Sequence, residues 1–125
     1  DGGARMLLSC GGHPLPLVLR RSGAVEPVGR LGTLLGADVT PVLADVAVEL
    51  APGELLVLYT DGVVEARGPS GVFGEERLRV LLSDLVGDAP TRVVQRIEAA
   101  VLAASGGRPR DDLAIVALRV RRPRA

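Results

Sequence analysis

Residues 50–67 read LAPGELLVLYTDGVVEAR and contain the clearest structural pattern of the chain. The run from Leu55 to Tyr59 is continuously apolar, which predicts a strand buried on both faces. Before it, residues 51–54 read APGE, a composition typical of a tight turn. Residues 46–50 alternate in the manner of a strand with one solvated face. We expect these two strands to form a hairpin.

The apolar strand is followed by acidic residues. Asp61 and Gly62 come directly after Tyr59-Thr60, and Glu65 lies four residues beyond Asp61. Asp111 and Asp112 immediately precede the last apolar run, Leu113 to Val120. If this run and the Leu55–Tyr59 strand are antiparallel neighbours, Asp61 and Asp111 converge at one rim of the sheet.

Converging carboxylates repel each other unless a proton or a cation lies between them. Oxygen ligands without His or Cys suit Mg²⁺ or Mn²⁺ better than Zn²⁺. Gly62 lets the chain turn beside such a site without a side-chain clash. The sequence therefore allows a site for a hard metal ion at this rim.

A purely structural interpretation fits the same residues. Asp-Gly after a strand is a common turn, and an Asp before a strand often caps a loop or pairs with a nearby arginine. Arg108 and Arg110 are placed for such pairing. The residues alone leave both interpretations open.

The rest of the chain predicts more strands and two consecutive helices. Short strands are expected over residues 6–10, 17–20 and 25–28, followed by a glycine-rich loop over 29–40. The first helix is expected to begin at Gly74, with Glu75 and Glu76 in its first turn, and to end at Gly87. The second helix is expected to be capped by Asp88, with Pro90 in its first turn, and to stop at residues 105–107. Their apolar faces comprise Leu78, Leu81, Leu82 and Leu85, and Val93, Ile97, Ala100, Val101 and Ala104. Consecutive helices beside strands predict an α+β fold, with a helical pair packed on antiparallel sheet.

Composition limits the possible functions. The chain of 125 residues fits one domain, and none of its apolar runs approaches the ~20 residues of a membrane span. Fifteen basic residues balance fifteen acidic ones and only two residues are aromatic, which argues against a nucleic-acid or membrane partner. Cys10 is the only cysteine, so we expect a reduced, buried thiol and a cytoplasmic location.

Four segments together resemble the metal-dependent protein serine/threonine phosphatases of the type 2C superfamily (PPM), in particular their bacterial SpoIIE/RsbU-like branch. The segments occur in the order and spacing of that family, and they read CGGHPLPLVLR (10–20), LAPGELLVLYTDGVVEAR (50–67), VFGEERL (72–78) and RPRDDLAIVAL (108–118). The resemblance implies that residues 1–121 are the C-terminal portion of such a phosphatase domain and that 122–125 are a tail. It also implies an αββα sandwich, of which this chain forms part.

The resemblance further implies a two-metal Mg²⁺ or Mn²⁺ centre with Asp61 and Asp111 as ligands and Asp112 as a supporting neighbour. Glu65 and His13 match positions where relatives bind a third, weaker metal. The family also uses an early aspartate, which Asp1 does not match because it precedes a strand. The implied reaction is hydrolysis of phosphoserine or phosphothreonine by a metal-activated water.

The implied substrate is an anti-anti-sigma-factor type of protein, and a sensor domain can lie upstream. We expect the isolated chain to be inactive, since the early aspartate would be missing. The alternative is a non-catalytic, phosphatase-like module that binds a regulatory protein.

Overall fold

The computed structural model of the chain describes residues 2–37, 39–108 and 111–124. Asp1 and Arg110, which entered the sequence predictions, lie outside these residues. The strands are β1 (Ala4–Leu8), β2 (Leu17–Leu19), β3 (Val25–Pro27), β4 (Val46–Leu50), β5 (Leu55–Tyr59), β6 (Arg67–Gly68), β7 (Gly71–Val72) and β8 (Ile115–Arg119). The helices are α1 (Asp61–Val64), α2 (Gly74–Ser83) and α3 (Pro90–Ala104).

Two sheets form the framework. The larger has four strands in the order β3-β2-β5-β8, with every neighbouring pair antiparallel. The smaller pairs β1 with β4, also antiparallel. A third pairing, β6 with β7, is a two-residue hairpin that the sequence did not predict.

The predicted hairpin between β4 and β5 is wrong, because the two strands belong to different sheets. The turn at residues 51–54 instead takes the chain from one sheet to the other. The side chains of Val48 and Leu50 in β4 pack against Leu56 of β5 and are buried between the two sheets. β4 and β5 are therefore stacked in different layers and are not hydrogen-bonded neighbours in one sheet. A tight turn can connect two strands of one hairpin or two strands in packed sheets, and the burial of apolar side chains between the sheets favours the second arrangement here.

The central strand β5 is buried on both faces, as predicted. Leu55, Val57 and Tyr59 face the core shared with the helices, whereas Leu56 faces the second sheet. The helical contributions to the first core come from Leu78, Leu82, Leu85, Val93, Ile97 and Val101. The layers are therefore helices, four-stranded sheet and two-stranded sheet, which confirms the α+β fold.

The helices have the predicted buried faces but partly different ends. α2 ends at Ser83, and the chain continues in turns to Gly87. Asp88 does not cap α3, since Ala89 occupies the N-cap position; the Asp88 carboxylate accepts a hydrogen bond from Arg92 Nε at 3.1 Å instead. None of the helices in the described ranges is long and apolar enough to cross a membrane.

Candidate metal centre

The pairing of β5 with β8 determines where the acidic residues meet. The two strands run antiparallel with Tyr59 opposite Ile115. The end of β5 and the segment leading into β8 therefore lie at the same rim of the sheet. Asp61 follows Tyr59 by two residues and Asp111 precedes Ile115 by four, so both reach this rim, as the sequence predicted.

Thr60 joins the two segments. Its backbone N–H donates to the carbonyl of Ala114 at 3.1 Å, and its hydroxyl accepts the N–H of Ala114 at 3.1 Å. The same hydroxyl donates to the carbonyl of Asp112 at 3.4 Å. These bonds hold the chain before Asp61 against the chain after Asp111. Sequence reasoning missed this role, although a polar, β-branched residue at a strand end was visible.

The one-turn helix α1 places Glu65 beside Asp61. The N–H of Glu65 donates to the carbonyl of Asp61 at 2.9 Å, the bond of an α-helical turn. Residues four apart lie on the same side of a helix, so the two carboxylates face the same space. The sequence predicted only a turn here, but the spacing of the two acids was already the helical one.

Three carboxylates come together at this rim. One oxygen each from Asp61, Glu65 and Asp111 lies within 4.8 Å of the others, and all three side chains are exposed. One oxygen of Asp111, Oδ1, also accepts the N–H of Asp112 at 2.9 Å, which restrains the carboxylate. Three like charges this close repel one another, and a divalent cation relieves the repulsion. The all-oxygen donor set fits Mg²⁺ or Mn²⁺.

Gly62 is buried beneath this cluster. A Cβ atom at this position would lie 2.5 Å from the carbonyl oxygen of Asp112 and 3.4 Å from Cβ of Asp111. Glycine is thus required for the close approach of two backbone segments. This close approach lets Asp61, the first residue of α1, and Asp111, in the segment before β8, reach the same ion.

Asp112 and His13 are placed differently from the three clustered acids. The exposed side chain of Asp112 is outside the cluster of described acids, although its backbone forms bonds to Thr60 and Asp111. His13 lines a separate apolar cavity of about 270 Å³, together with the buried Cys10 and the end of β5. None of the ion pairs among the described residues joins Arg108 to Asp111, and Arg110, the other arginine predicted to pair with it, lies outside those residues.

Arg67 is a further residue beside the acids that sequence reasoning did not single out. It lines a cavity of about 460 Å³ with Glu65, Asp111 and Gly62. Arg67 begins the β6–β7 hairpin, where it pairs with Val72, another residue of the cavity wall. An arginine in the wall of the same cavity as Glu65 and Asp111 can offer donors to an anionic group that enters it.

Comparison with known families shows which family the chain belongs to. The family model described as Stage II sporulation protein E (SpoIIE) matches residues 2–121, nearly the whole chain. The chain belongs to the SpoIIE family. It is a phosphatase domain sequence of the PPM type, in the bacterial RsbU/SpoIIE branch, and the resemblance seen in the sequence is confirmed.

Several solved structures share the fold of the chain. The SpoIIE phosphatase domain of Bacillus subtilis, in crystals presoaked in Mn, matches with a TM-score of 0.79 and 18% identity, over 98% of this chain and 53% of that one. The SiaA-PP2C domain of Pseudomonas aeruginosa matches with a TM-score of 0.73 and 23% identity, over 90% and 46%. The RsbU and RsbW domains of a Mycobacterium tuberculosis protein match with a TM-score of 0.70 and 21% identity, over 97% and 34%.

The chain spans about half the length of the SpoIIE domains that it matches. None of the curated protein sequences matches it.

Proposed function

We propose that the protein containing this chain is a Mg²⁺- or Mn²⁺-dependent phosphatase that hydrolyses phosphoserine or phosphothreonine on a regulatory protein. The observation that supports this most strongly is the meeting of Asp61, Glu65 and Asp111 within 4.8 Å in a SpoIIE-family chain. An acidic cluster alone would be weak support. Together with family membership, the cluster supports a role of these carboxylates as metal ligands.

The proposed roles follow from position. Asp61 and Asp111 would each give one carboxylate to a pair of divalent ions, with Asp112 as their supporting neighbour. Glu65 would add a further carboxylate from one helical turn away. When bound, such a pair supplies an activated water for direct, in-line attack on phosphorus. Thr60 and Gly62 would keep the two ligand segments at the required separation.

Arg67 is proposed to bind the phosphoryl group. Arg67 lines the same cavity as Glu65 and Asp111, so its guanidinium would be available to a phosphate that enters this cavity. Guanidinium donors match phosphate oxygens in geometry and charge. Replacing Arg67 by Gln should therefore raise KM for a phosphorylated substrate more than it lowers Mn²⁺ affinity.

The proposed substrate is a phosphoprotein of the anti-anti-sigma-factor type. Family membership supports it, as does the likeness to a protein whose solved structure joins RsbU and RsbW domains. A sensor domain upstream of the phosphatase domain is part of the same proposal.

The test is hydrolysis of p-nitrophenyl phosphate and of a phosphoserine peptide by the full-length protein with Mn²⁺. We expect activity in the wild type, its loss in Asp61→Asn and Asp111→Asn, and its retention in Asp84→Asn. Asp84 is an exposed carboxylate at the end of α2 and serves as the matched control. Equal activity in all four proteins would refute the assignment. Mn²⁺ binding without hydrolysis of either substrate would favour a phosphatase-like binding module instead.

A further inference from the structure

A cavity of about 430 Å³ lies at the end of the four-stranded sheet that is remote from the three carboxylates. At this end Leu55 pairs with Arg119, whereas Tyr59 and Ile115 mark the carboxylate end. Four residue steps of about 3.3 Å put roughly 13 Å of strand between the two ends. The cavity is therefore separate from the candidate metal centre.

Four arginines line this cavity: Arg21, Arg119, Arg121 and Arg122. Three of them are close together near the end of the sequence, and strand pairing brings Arg21 to them. Arg21 follows β2, whose last residue, Leu19, lies opposite Leu55. Arg119 is the last residue of β8, and the other two arginines follow it.

The turn before β5 forms part of the cavity wall. The N–H of Gly53 donates to the carbonyl of Val120 at 2.8 Å, which fixes the turn against the segment that follows β8. A Cβ at Gly53 would lie 3.4 Å from Nε of Arg122 and 3.8 Å from Cδ of Arg21. Two cationic side chains thus lie over the same glycine.

Arg119 has donors that lack a partner. Its Nη1 donates to the carbonyl of Gly87 at 3.0 Å, which holds the side chain in place. Its Nε and Nη2 are buried, and neither has a hydrogen-bond partner among the described residues. Buried donors on a charged group are unfavourable without an acceptor. Arg119 thus lines the cavity while its cationic group is short of acceptors among the described residues.

None of the described acidic residues lines the cavity. The carboxylate next in sequence, Glu54, is already engaged with Arg20 at 2.8 Å and with the N–H of Ala51 at 2.9 Å. The cavity therefore concentrates positive charge in a chain whose net charge is zero.

We propose that this cavity binds the phosphate group of a small phosphorylated molecule. Several guanidinium groups around one space match a phosphate, which presents oxygens on all sides and carries up to two charges. The volume is that of a small-molecule site. The wall contains no aromatic residue among those described, so stacking with the bases of a polynucleotide has no support.

The test is calorimetric titration of the full-length protein with inorganic phosphate. EDTA in the buffer removes divalent ions, so that phosphate bound at a metal centre does not contribute. We expect saturable binding, weakened about tenfold or more in the Arg121→Gln/Arg122→Gln double variant through loss of charge-assisted hydrogen bonds. Both of these arginines are exposed, so the variant should remain folded.

Arg124→Gln is the matched control, because Arg124 lies in the same exposed tail but does not line the cavity. It should bind phosphate as the wild type does. Phosphate should also raise the Tm of the wild type and of this control, and raise that of the double variant less at the same phosphate concentration. Equal phosphate affinity in the three proteins would overturn the proposal. Binding only to vesicles of phosphatidic acid, and not to inorganic phosphate, would also overturn it in favour of a lipid surface.

Discussion

Replacing Gly62 by Ala tests how the two ligand segments are held together. The added Cβ would lie 2.5 Å from the carbonyl oxygen of Asp112. Ordinary contacts between carbon and oxygen begin near 3.3 Å, so one segment must move by about 0.8 Å. The added Cβ would also lie 3.3 Å from Leu113 Cδ2 and 3.4 Å from Asp111 Cβ, so these atoms limit the directions in which the backbone can move to relieve the clash.

The displacement should have two separate effects. Overpacking of this size costs about 1–3 kcal/mol of the free energy of unfolding. Because each of the two segments contains a proposed ligand, Asp61 or Asp111, we also expect Mn²⁺ affinity to fall by about 10- to 100-fold, the range typical of altered supports of metal ligands. Denaturant unfolding measures the first effect and calorimetry with Mn²⁺ measures the second.

Gly23→Ala is the control for a general loss of stability. Gly23 has a φ of 92°, and the atom nearest to an added Cβ would be Ser83 O at 3.9 Å, so the substitution introduces backbone strain without crowding. The strain should cost about 1–2 kcal/mol. This variant should lose stability while keeping its Mn²⁺ affinity. If Gly62→Ala keeps both quantities, or loses affinity no more than Gly23→Ala does, the reasoning about close approach is refuted.

Three further predictions concern titration and the Thr60 contacts. Burial raises the pKa of Tyr59, the only tyrosine of the chain, to about 12, so the change in ultraviolet absorbance on tyrosine ionisation should have its midpoint near pH 12. A midpoint near pH 10 would contradict the burial of this side chain. Burial alone would raise the pKa of Glu54, but hydrogen bonds from a turn N–H and from Arg20 outweigh it and lower the pKa. The stability that Glu54 contributes is therefore fully present above its ordinary pKa of 4.5 and is lost as the pH falls further; a difference between wild type and Glu54→Gln that does not shrink on acidification would contradict this. Thr60→Val removes the hydroxyl that accepts the N–H of Ala114 and should cost about 1–2 kcal/mol with weaker Mn²⁺ binding, while Thr60→Ser should restore both; failure of the serine to restore them would argue against the hydrogen bonds.

The carboxylate rim could be predicted from the sequence because its determinants are local. A continuous apolar run such as Leu55–Tyr59 indicates a central strand, and Asp61 and Asp111 are adjacent to strand ends. Only one assumption was needed, that β5 and β8 are antiparallel neighbours. The spacing of Asp61 and Glu65 then matched one helical turn.

The errors arose where one local pattern fits two arrangements. The turn at residues 51–54 suits a hairpin as well as a passage between two packed sheets, and only the burial of Val48 and Leu50 against the other sheet decides. Asp88 has the composition of a cap, but Ala89 follows it in an extended conformation, so the helix begins one residue later.

Other features depend on contacts between distant segments. The strands β6 and β7 are two residues long, too short to show a period, so the position of Arg67 could not be foreseen. The arginine-rich end of the chain (residues 119–124) has no sequence pattern that indicates a cavity, and only the pairing of β2 and β8 with β5 brings Arg21 to Arg119. A local sequence pattern does not indicate which distant residues come into contact in the fold.

The most direct test of the carboxylate centre is the Mn²⁺ affinity of Asp61→Asn, Asp111→Asn and Asp84→Asn in the full-length protein, measured by calorimetry. All three changes remove one exposed carboxylate charge, but only the first two remove it from the cluster with Glu65. The account predicts that Asp61→Asn and Asp111→Asn lose most of the Mn²⁺ affinity while Asp84→Asn binds as the wild type does. Equal affinities in the three variants, or no Mn²⁺ binding by the wild type, would contradict it.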